Sequence, residues 1–187
     1  MGRRETVFRG RVFEVCSESV VLPSGRRVRR DVVRHPGSVA ILPVDEGGRV
    51  LFLRQYRFAV GGVIWEIPAG TLEPGERPLP CARRELAEET GYRARRWRKL
   101  TTICASPGIL DERLHLYAAW GLSAGAPRPE DDEELVCRWL SVERALSMVR
   151  TGRVADSKSI CSLLYAAQFG VPGSPLGKAG AGRGGKQ

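Results

Sequence analysis

The stretch GTLEPGERPLPCARRELAEETGY, residues 70–92, decides the fold of this chain, because it predicts a loop that runs into one acidic helix. From about Pro80 to Thr90 the segment has no glycine and no further proline, and it is rich in Ala, Leu, Glu and Arg, which favour helices. Gly91 follows directly, and glycine commonly ends a helix at this position. We therefore expect a helix over about residues 80–90, with Pro78 and Pro80 in an approach loop or in the first helical turn.

The predicted helix carries an apolar stripe beside an acidic face. Glu85, Glu88 and Glu89 lie three or four residues apart, so they share an arc of about 100°. Ala82 and Leu86 belong to the neighbouring apolar stripe. Like charges at this spacing repel one another, and a bound cation would compensate them. Carboxylate oxygens suit a hard divalent ion, which points to Mg²⁺ or Mn²⁺.

The complete spacing of this stretch resembles the Nudix hydrolase signature, G-x5-E-x7-R-E-U-x-E-E-x-G-U, in which U is a bulky apolar residue. The matching positions are Gly70, Glu76, Arg84, Glu85, Leu86, Glu88, Glu89, Gly91 and Tyr92. An aromatic residue at the last position is the one departure from the pattern. An ion pair between Arg84 and Glu76 is expected to fix the loop against the helix.

Two flanking stretches, RQYRFAVGGVIWEIPAG and SPGILDERLHLY, look like the ADP-ribose pyrophosphatase branch of this family. The resemblance covers roughly residues 8–168. It implies an α/β fold, a Nudix α/β/α sandwich with a mixed sheet, together with a small N-terminal antiparallel β-sheet through which a homodimer forms. It also implies hydrolysis of a nucleoside diphosphate derivative, first of all ADP-ribose to AMP and ribose 5-phosphate. The expected cofactor is Mg²⁺, with Mn²⁺ as an alternative and two or three ions in each site.

The same resemblance assigns roles to individual residues. The implied metal ligands are the carbonyl of Ala69 and the side chains of Glu85, Glu88 and Glu89, and the implied catalytic group is Glu133, Glu85, Glu89 and Arg84. The implied substrate-binding residues are Arg57, Glu66 and Glu112, while Gly70, Glu76 and Gly91 support the signature. The general base is expected in the acidic run 130–134, where Glu133 is preferred and Asp131 and Glu134 are alternatives.

Length and composition indicate an ordinary globular chain. Its 187 residues suit one domain with an appended element, and 42% of them are hydrophobic and 27% charged. No run of 18 apolar residues and no apolar N-terminal segment is present, so neither a membrane span nor a signal peptide is expected. The five cysteines form no CxxC pair, which favours free thiols and a cytoplasmic location.

The net charge of +9 comes mostly from arginine, which makes up 26 of the 30 basic residues. Arginine is spread along the chain, with the tightest clusters at 26–30 and 93–98, and it does not alternate with aromatic residues as in a single-strand-binding surface. Phosphate binding accounts for some of these arginines and leaves the rest unexplained. Nucleic acid is therefore not the expected partner. The alternatives are a Nudix enzyme for GDP-mannose, UDP-glucose or a dinucleoside polyphosphate and, more remotely, a non-catalytic nucleotide- or RNA-binding module.

Turn residues divide the chain into three parts. Residues 1–36 predict a small β-sheet with a turn at 23–25, which must pack on something because three short strands are marginal alone. Residues 37–169 predict the Nudix domain, including one strand over 63–70 and two late helices capped by Ser141 and by Asp156 or Ser157. Residues 170–187 are rich in Gly, Pro and Ser and predict a disordered tail.

Overall fold

A computed structural model describes residues 4–128 and 135–177 of the protein. In chain order, the strands are β1 Arg4–Arg9, β2 Glu14–Val21, β3 Arg27–Arg34, β4 Ser38–Pro43, β5 Val50–Arg57, β6 Gly62–Glu66, β7 Ala69–Thr71, β8 Arg93–Ile103, β9 Leu114–Ser123 and β10 Leu135–Leu140. The helices are α1 Pro78–Thr90, α2 Val142–Arg150 and α3 Ser157–Phe169, and a short 3-10 turn spans Phe58–Val60. None of these helices is long and apolar enough to cross a lipid bilayer.

The central sheet has the strand order β7-β4-β9-β8, with β4 and β9 parallel and the other pairs antiparallel. All six residues of β4 are buried, because helices cover both faces of this strand. On one face, Val39 and Ile41 pack with Leu86 of α1, and on the other, Leu42 packs with Leu163 of α3. This layering confirms the predicted α/β/α sandwich with a mixed sheet.

A second domain sheet has the order β10-β5-β6 and is antiparallel throughout. The prediction of one strand over 63–70 is wrong, because the chain leaves β6 at Glu66 and enters β7 of the central sheet at Ala69. Pro68 lies between the two strands and has no N–H to continue a ladder. This break matters for the candidate active site, because it places Glu66 in the second domain sheet and Ala69 in the central sheet.

Helix α1 begins at Pro78, so the first helical turn is the outcome of the two alternatives expected for this proline. Pro78 occupies its first turn, where a missing N–H costs nothing and the fixed φ favours a helix. Gly91 ends the helix with φ 74°, as predicted, and its N–H donates to the carbonyl of Ala87. A Cβ at Gly91 would overlap the backbone carbonyl of Gly125, so the loop after β9 lies directly against the helix end. Arg128 N in that loop donates to the Glu88 carbonyl at 2.7 Å.

The two late helices begin at side-chain caps. Ser141 Oγ accepts from Arg144 N at 3.2 Å at the start of α2, as predicted. At α3 the capping residue is Asp156, whose Oδ2 accepts from Ser159 N at 3.0 Å. The chain continues to pack beyond Phe169, because Val171 is fully buried in the core and Val171 N donates to Leu176 O at 3.0 Å. Ordered structure therefore extends to Gly177, past the predicted start of the tail.

The N-terminal sheet has the order β1-β2-β3 and stands apart from the two domain sheets. Every residue of β1 is exposed, and only Cys16 and Ser17 are buried in β2. A joint connects this sheet to the domain: Val33 N donates to Ile109 O at 2.7 Å, and Arg34 Nη1 donates to Asp111 Oδ2 at 2.8 Å.

Candidate active site

Arg84 lies at the centre of the signature and bonds three of its carboxylates. Its Nη2 and Nε donate to Glu76 at 3.0 and 3.2 Å, and its Nη1 donates to Glu85 at 2.8 Å and to Glu88 at 3.0 Å. Arg84 Nη2 also donates to the carbonyl of Thr71 at 3.2 Å, which ties the helix to β7. The predicted pair with Glu76 is therefore present, and Arg84 balances much of the acidic charge on α1.

The protonation of this cluster follows from its hydrogen bonds. The bonds from Arg84 hold the pKa of Glu76 below its usual range, although burial opposes this shift. The hydrogen bonds that Arg84 donates to Glu76 and Glu88, together with the charge of Glu85, raise the pKa of Arg84. At neutral pH, Arg84 and Glu76 therefore form an ion pair between a guanidinium cation and a carboxylate anion.

Gly70 forms a close cradle for Glu85. A Cβ on Gly70 would overlap the Glu85 carboxylate, so any side chain at this position would displace that carboxylate. This is the physical reason that the signature begins with glycine. Strand β7 and helix α1 are thus matched to one another across the site.

Glu89 is 4% exposed, and its Oε2 accepts from Ala69 N at 3.0 Å. Between β4 and β7, Ile41 N donates to Pro68 O and Leu72 N donates to Gly37 O. In an antiparallel pair, hydrogen-bonded and non-hydrogen-bonded residue pairs alternate, and Ala69 belongs to a non-hydrogen-bonded pair. Its N–H and C=O therefore point away from β4. The Ala69 carbonyl therefore lies on the same side of β7 as the bond to Glu89.

These groups fit a divalent cation in their chemistry. All of the candidate ligands are hard oxygen donors, and the Gly70 cradle leaves room for the Glu85 carboxylate. Within residues 4–128 and 135–177, however, no three acidic, imidazole or thiol groups converge on one point. Arg84 bridges Glu85 and Glu88 in this structure and takes the place of a cation between them.

Arg57, at the end of β5, contacts a buried carboxylate. Its Nε and Nη2 donate to Glu66 Oε1 and Oε2 at 2.6 and 3.1 Å, and Glu66 is 1% exposed. Lys158 of α3 donates to the same Glu66 carboxylate at 2.5 Å and to Asp156 Oδ1 at 2.9 Å. Glu66 therefore lies behind Arg57 and orients its guanidinium.

Sequence reasoning missed the α3 side of this network. Lys158 and Glu66 are 92 positions apart, and nothing in the spacing links them. The only local signal was the helix cap at Asp156, whose Oδ2 also accepts from Ser159 Oγ at 2.5 Å. Ser159 Oγ in turn accepts from Ile67 N at 2.8 Å, which fixes α3 against the end of β6.

Glu112, the predicted ribose-binding residue, lies beside the joint of the N-terminal sheet. Its Oε1 accepts from Ser38 Oγ at 2.5 Å and is 3.7 Å from His35 Nδ1. His35 Nδ1 accepts from Gly37 N at 3.1 Å. The structure thus brings Glu112 to the start of β4, close to the other end of β7 from Ala69. Glu133, Asp131 and Glu134 lie outside the described residues.

The chain was compared with known proteins. The sequence pattern of the NUDIX domain matches residues 34–163. The chain is 40% identical to the ADP-ribose pyrophosphatase of Bacillus subtilis over 164 residues, which is 87% of this chain and 89% of that protein. It is 33% identical to the GDP-mannose pyrophosphatase of Citrobacter koseri over 156 residues, which is 74% of this chain and 81% of that protein.

Its fold is also similar to a crystal structure of an ADP compounds hydrolase, with a TM-score of 0.75 at 22% identity, over 89% of this chain and 91% of that one. The match to the domain pattern covers more than half of the chain, and it includes the whole Arg84-centred signature. The family predicted from the stretch at residues 70–92 is thereby confirmed, and the chain belongs to the NUDIX domain family.

Proposed function

We propose that this protein hydrolyses the diphosphate bond of a nucleoside diphosphate sugar, with ADP-ribose as the first substrate and AMP and ribose 5-phosphate as products. The observation that carries the proposal is the intact signature, in which Arg84 bonds the carboxylates of α1 and also the Thr71 carbonyl of β7. The 40% identity to an ADP-ribose pyrophosphatase supports the choice of substrate.

Glu85, Glu88, Glu89 and the carbonyl of Ala69 are the residues that would hold Mg²⁺, or Mn²⁺ in its place, as two or three ions. A bound divalent ion supplies positive charge against the leaving phosphate and lowers the pKa of water. The Ala69 carbonyl and the Glu89 carboxylate lie on the same side of β7, which supports this ligand set. Arg84 would then release part of its contact with Glu85 and keep its two bonds to Glu76.

Arg57 binds the diphosphate in this proposal. Its guanidinium is planar and matches phosphate oxygens, and the bonds from Glu66 fix its plane before substrate arrives. Glu66 is a positioning residue here, since its buried carboxylate contacts Arg57 and Lys158. Glu112 accepts from the hydroxyl groups of the terminal ribose, and Glu133 accepts the proton of the attacking water.

A homodimer and a cytoplasmic location complete the proposal. The N-terminal sheet exposes Val7, Phe8 and Val21 by 64%, 55% and 61%, an apolar surface that a second copy of this chain would cover. All five cysteines are free thiols, which supports a reducing compartment.

The decisive experiment is a hydrolysis panel with identified products. ADP-ribose, GDP-mannose, UDP-glucose and a dinucleoside polyphosphate should be compared with Mg²⁺, with Mn²⁺ and after chelation. We expect AMP and ribose 5-phosphate from ADP-ribose at the highest kcat/KM, no turnover after chelation, and recovery when metal is added back. A preference for GDP-mannose would favour the alternative supported by the Citrobacter koseri relative. Absence of hydrolysis of every compound would contradict the proposal.

A further inference from the structure

A basic cavity of about 510 Å³ lies beside the signature, between α1, β8 and the loop after β9. It is lined by Arg83 of α1, Arg93 of β8 and Arg128 of the loop after β9, which we call the wall arginines, and also by Arg84 and Glu88 of the signature. A cavity of this size falls in the range that binds small molecules. It therefore adjoins the proposed catalytic carboxylates without containing Glu85 or Glu89.

The three wall arginines are available to a ligand. Arg83, Arg93 and Arg128 are exposed, and no side-chain ion pair to a carboxylate is found for any of them within the described residues. Arg84 differs, because Glu76, Glu85 and Glu88 satisfy its guanidinium. Several unpaired guanidinium groups around one cavity repel each other, so binding an anion there relieves the repulsion.

The fold holds these arginines at the cavity through backbone contacts. Gly91 and Gly125 approach so closely that neither could carry a side chain without displacing the other segment. Arg128 N donates to the Glu88 carbonyl at 2.7 Å, which satisfies one of the last carbonyls of α1. The loop is thereby fixed to the helix end, and Arg128 enters the cavity wall next to Arg93.

We infer that this cavity is a subsite for a phosphate group outside the diphosphate that is cleaved. Arginine is the side chain best suited to bidentate contacts with phosphate oxygens, and the cavity is continuous with Glu88 of the proposed reaction site. A substrate with phosphates beyond the cleaved pair would place one of them between the wall arginines. The link to substrate rests on the proposed diphosphate hydrolysis, applied to the dinucleoside polyphosphate alternative, because ADP-ribose has no phosphate beyond the cleaved pair. The affinity of the cavity for phosphate does not depend on that function.

The first test measures binding of inorganic phosphate by ³¹P NMR titration of the full chain. Metal is removed on a chelating resin, so that no anionic chelator competes and the signature carboxylates repel the ion. Arg83→Gln and Arg93→Gln should each raise the Kd of phosphate about tenfold, and Arg93→Lys should give an intermediate value. The matched control is Arg98→Gln, which removes the same charge from an exposed position of β8 outside the cavity and should change the Kd less than about twofold.

The second test identifies the source of the phosphate. In the presence of Mg²⁺, Arg93→Gln should raise the ratio of the KM for diadenosine tetraphosphate to the KM for ADP-ribose about tenfold. A changed Kd for phosphate with an unchanged ratio would support the site and assign it to the free ion or a phosphorylated product. Equal Kd values and equal KM ratios in wild type, Arg83→Gln, Arg93→Gln and Arg98→Gln would overturn the inference, whatever the outcome of the hydrolysis panel. Circular dichroism spectra that match wild type verify that each variant is folded.

Discussion

The central sheet and the N-terminal sheet differ in what covers their faces. Helices pack on both faces of β4, so all six of its residues are buried, whereas all six residues of β1 are exposed. Burial of apolar area is the main favourable contribution to folding. One copy of the chain buries β4 of the central sheet but leaves β1 of the N-terminal sheet exposed. The domain core is therefore complete within one chain, whereas the N-terminal sheet leaves most of its surface exposed.

The largest difference is expected in kcat, between a substitution at the proposed metal site and one in the N-terminal sheet. Glu89→Gln keeps an oxygen that can accept from Ala69 N but loses a carboxylate of the proposed metal site, so kcat should fall about a hundredfold or more. Glu5→Gln in the N-terminal sheet removes the same charge at an exposed ion pair with Arg29 and should leave kcat within about twofold. Steady-state assays with ADP-ribose measure both, and wild-type turnover in Glu89→Gln would refute the assignment of Glu89.

The next largest difference between the central sheet and the N-terminal sheet is expected in how much a substitution lowers the free energy of unfolding. Leu86 is fully buried between α1 and the central sheet, so Leu86→Ala should lower the free energy of unfolding by about 2–5 kcal/mol. Val7 is 64% exposed, and Val7→Ala should change this free energy by less than about 0.5 kcal/mol in the isolated chain. Urea unfolding with an unchanged m-value is the measurement. Equal losses for the two variants would show that the contrast in burial does not govern stability.

Oligomeric state shows whether a second copy covers the small sheet. Phe8 and Phe13 form one exposed aromatic pair, with ring centroids 6.2 Å apart. Replacing both with serine should weaken a dimer by at least about tenfold in Kd, because buried aromatic residues dominate interfaces. Light scattering across a dilution series measures the mass, and Leu164→Ser, at a similarly exposed position of α3, is the control. A wild-type chain that is monomeric at every concentration would exclude this role for the sheet.

A smaller, pH-dependent effect is expected in the Arg84 cluster. The pKa of Glu76 is lowered in the folded state, so its stabilising contribution is present above the pKa of the unfolded chain and is lost as pH falls through the folded pKa. Glu76→Gln should therefore cost about 1 kcal/mol at pH 7, and the difference from wild type should vanish well below about pH 4. Denaturant unfolding at several pH values measures this, and a difference that is independent of pH would contradict the ionised pair.

Thiol labelling should show the smallest differences between the regions. Cys81 is fully buried on α1, and burial raises the pKa of its thiol to about 12, so it stays protonated and unreactive in the folded chain. Cys16 is equally buried but lies in the small sheet, which opens at lower cost because few apolar contacts hold it. Mass spectrometry of chains labelled under native conditions should therefore find exposed Cys104 modified first, Cys16 next and Cys81 last. Labelling of Cys81 before Cys16 would reverse the proposed order of local stability.

Local sequence predicted the parts of the site that a helix and its entry loop determine. Glu76, Arg84 and Gly91 follow from fixed offsets along one segment, and the structure has each where the offsets require. The burial of Ala82 and Leu86 likewise follows from the predicted apolar stripe of that helix. These successes share a cause, because residues close in sequence have few ways to be arranged once the helix forms.

Contacts between distant segments were not predictable in this way. Lys158 reaches Glu66 only because Pro68 separates β6 from β7 and α3 packs over the break. Similarly, the Gly-rich composition after Phe169 favoured disorder, yet Val171 fills a place in the core that no local pattern reveals. The wall arginines of the cavity come from a helix, a strand and a loop, so they are separated along the sequence and no local pattern predicts that they share a cavity.

The joint between the small sheet and the domain has a mechanical consequence. Asp111 accepts from Arg34 Nη1 and from His35 N, both at 2.8 Å, so it holds the end of β3. The next residue, Glu112, bonds Ser38 at the start of β4. Two consecutive carboxylates thus hold opposite sides of this connection. A tilt of the N-terminal sheet would therefore move Glu112, the residue proposed to bind the terminal ribose.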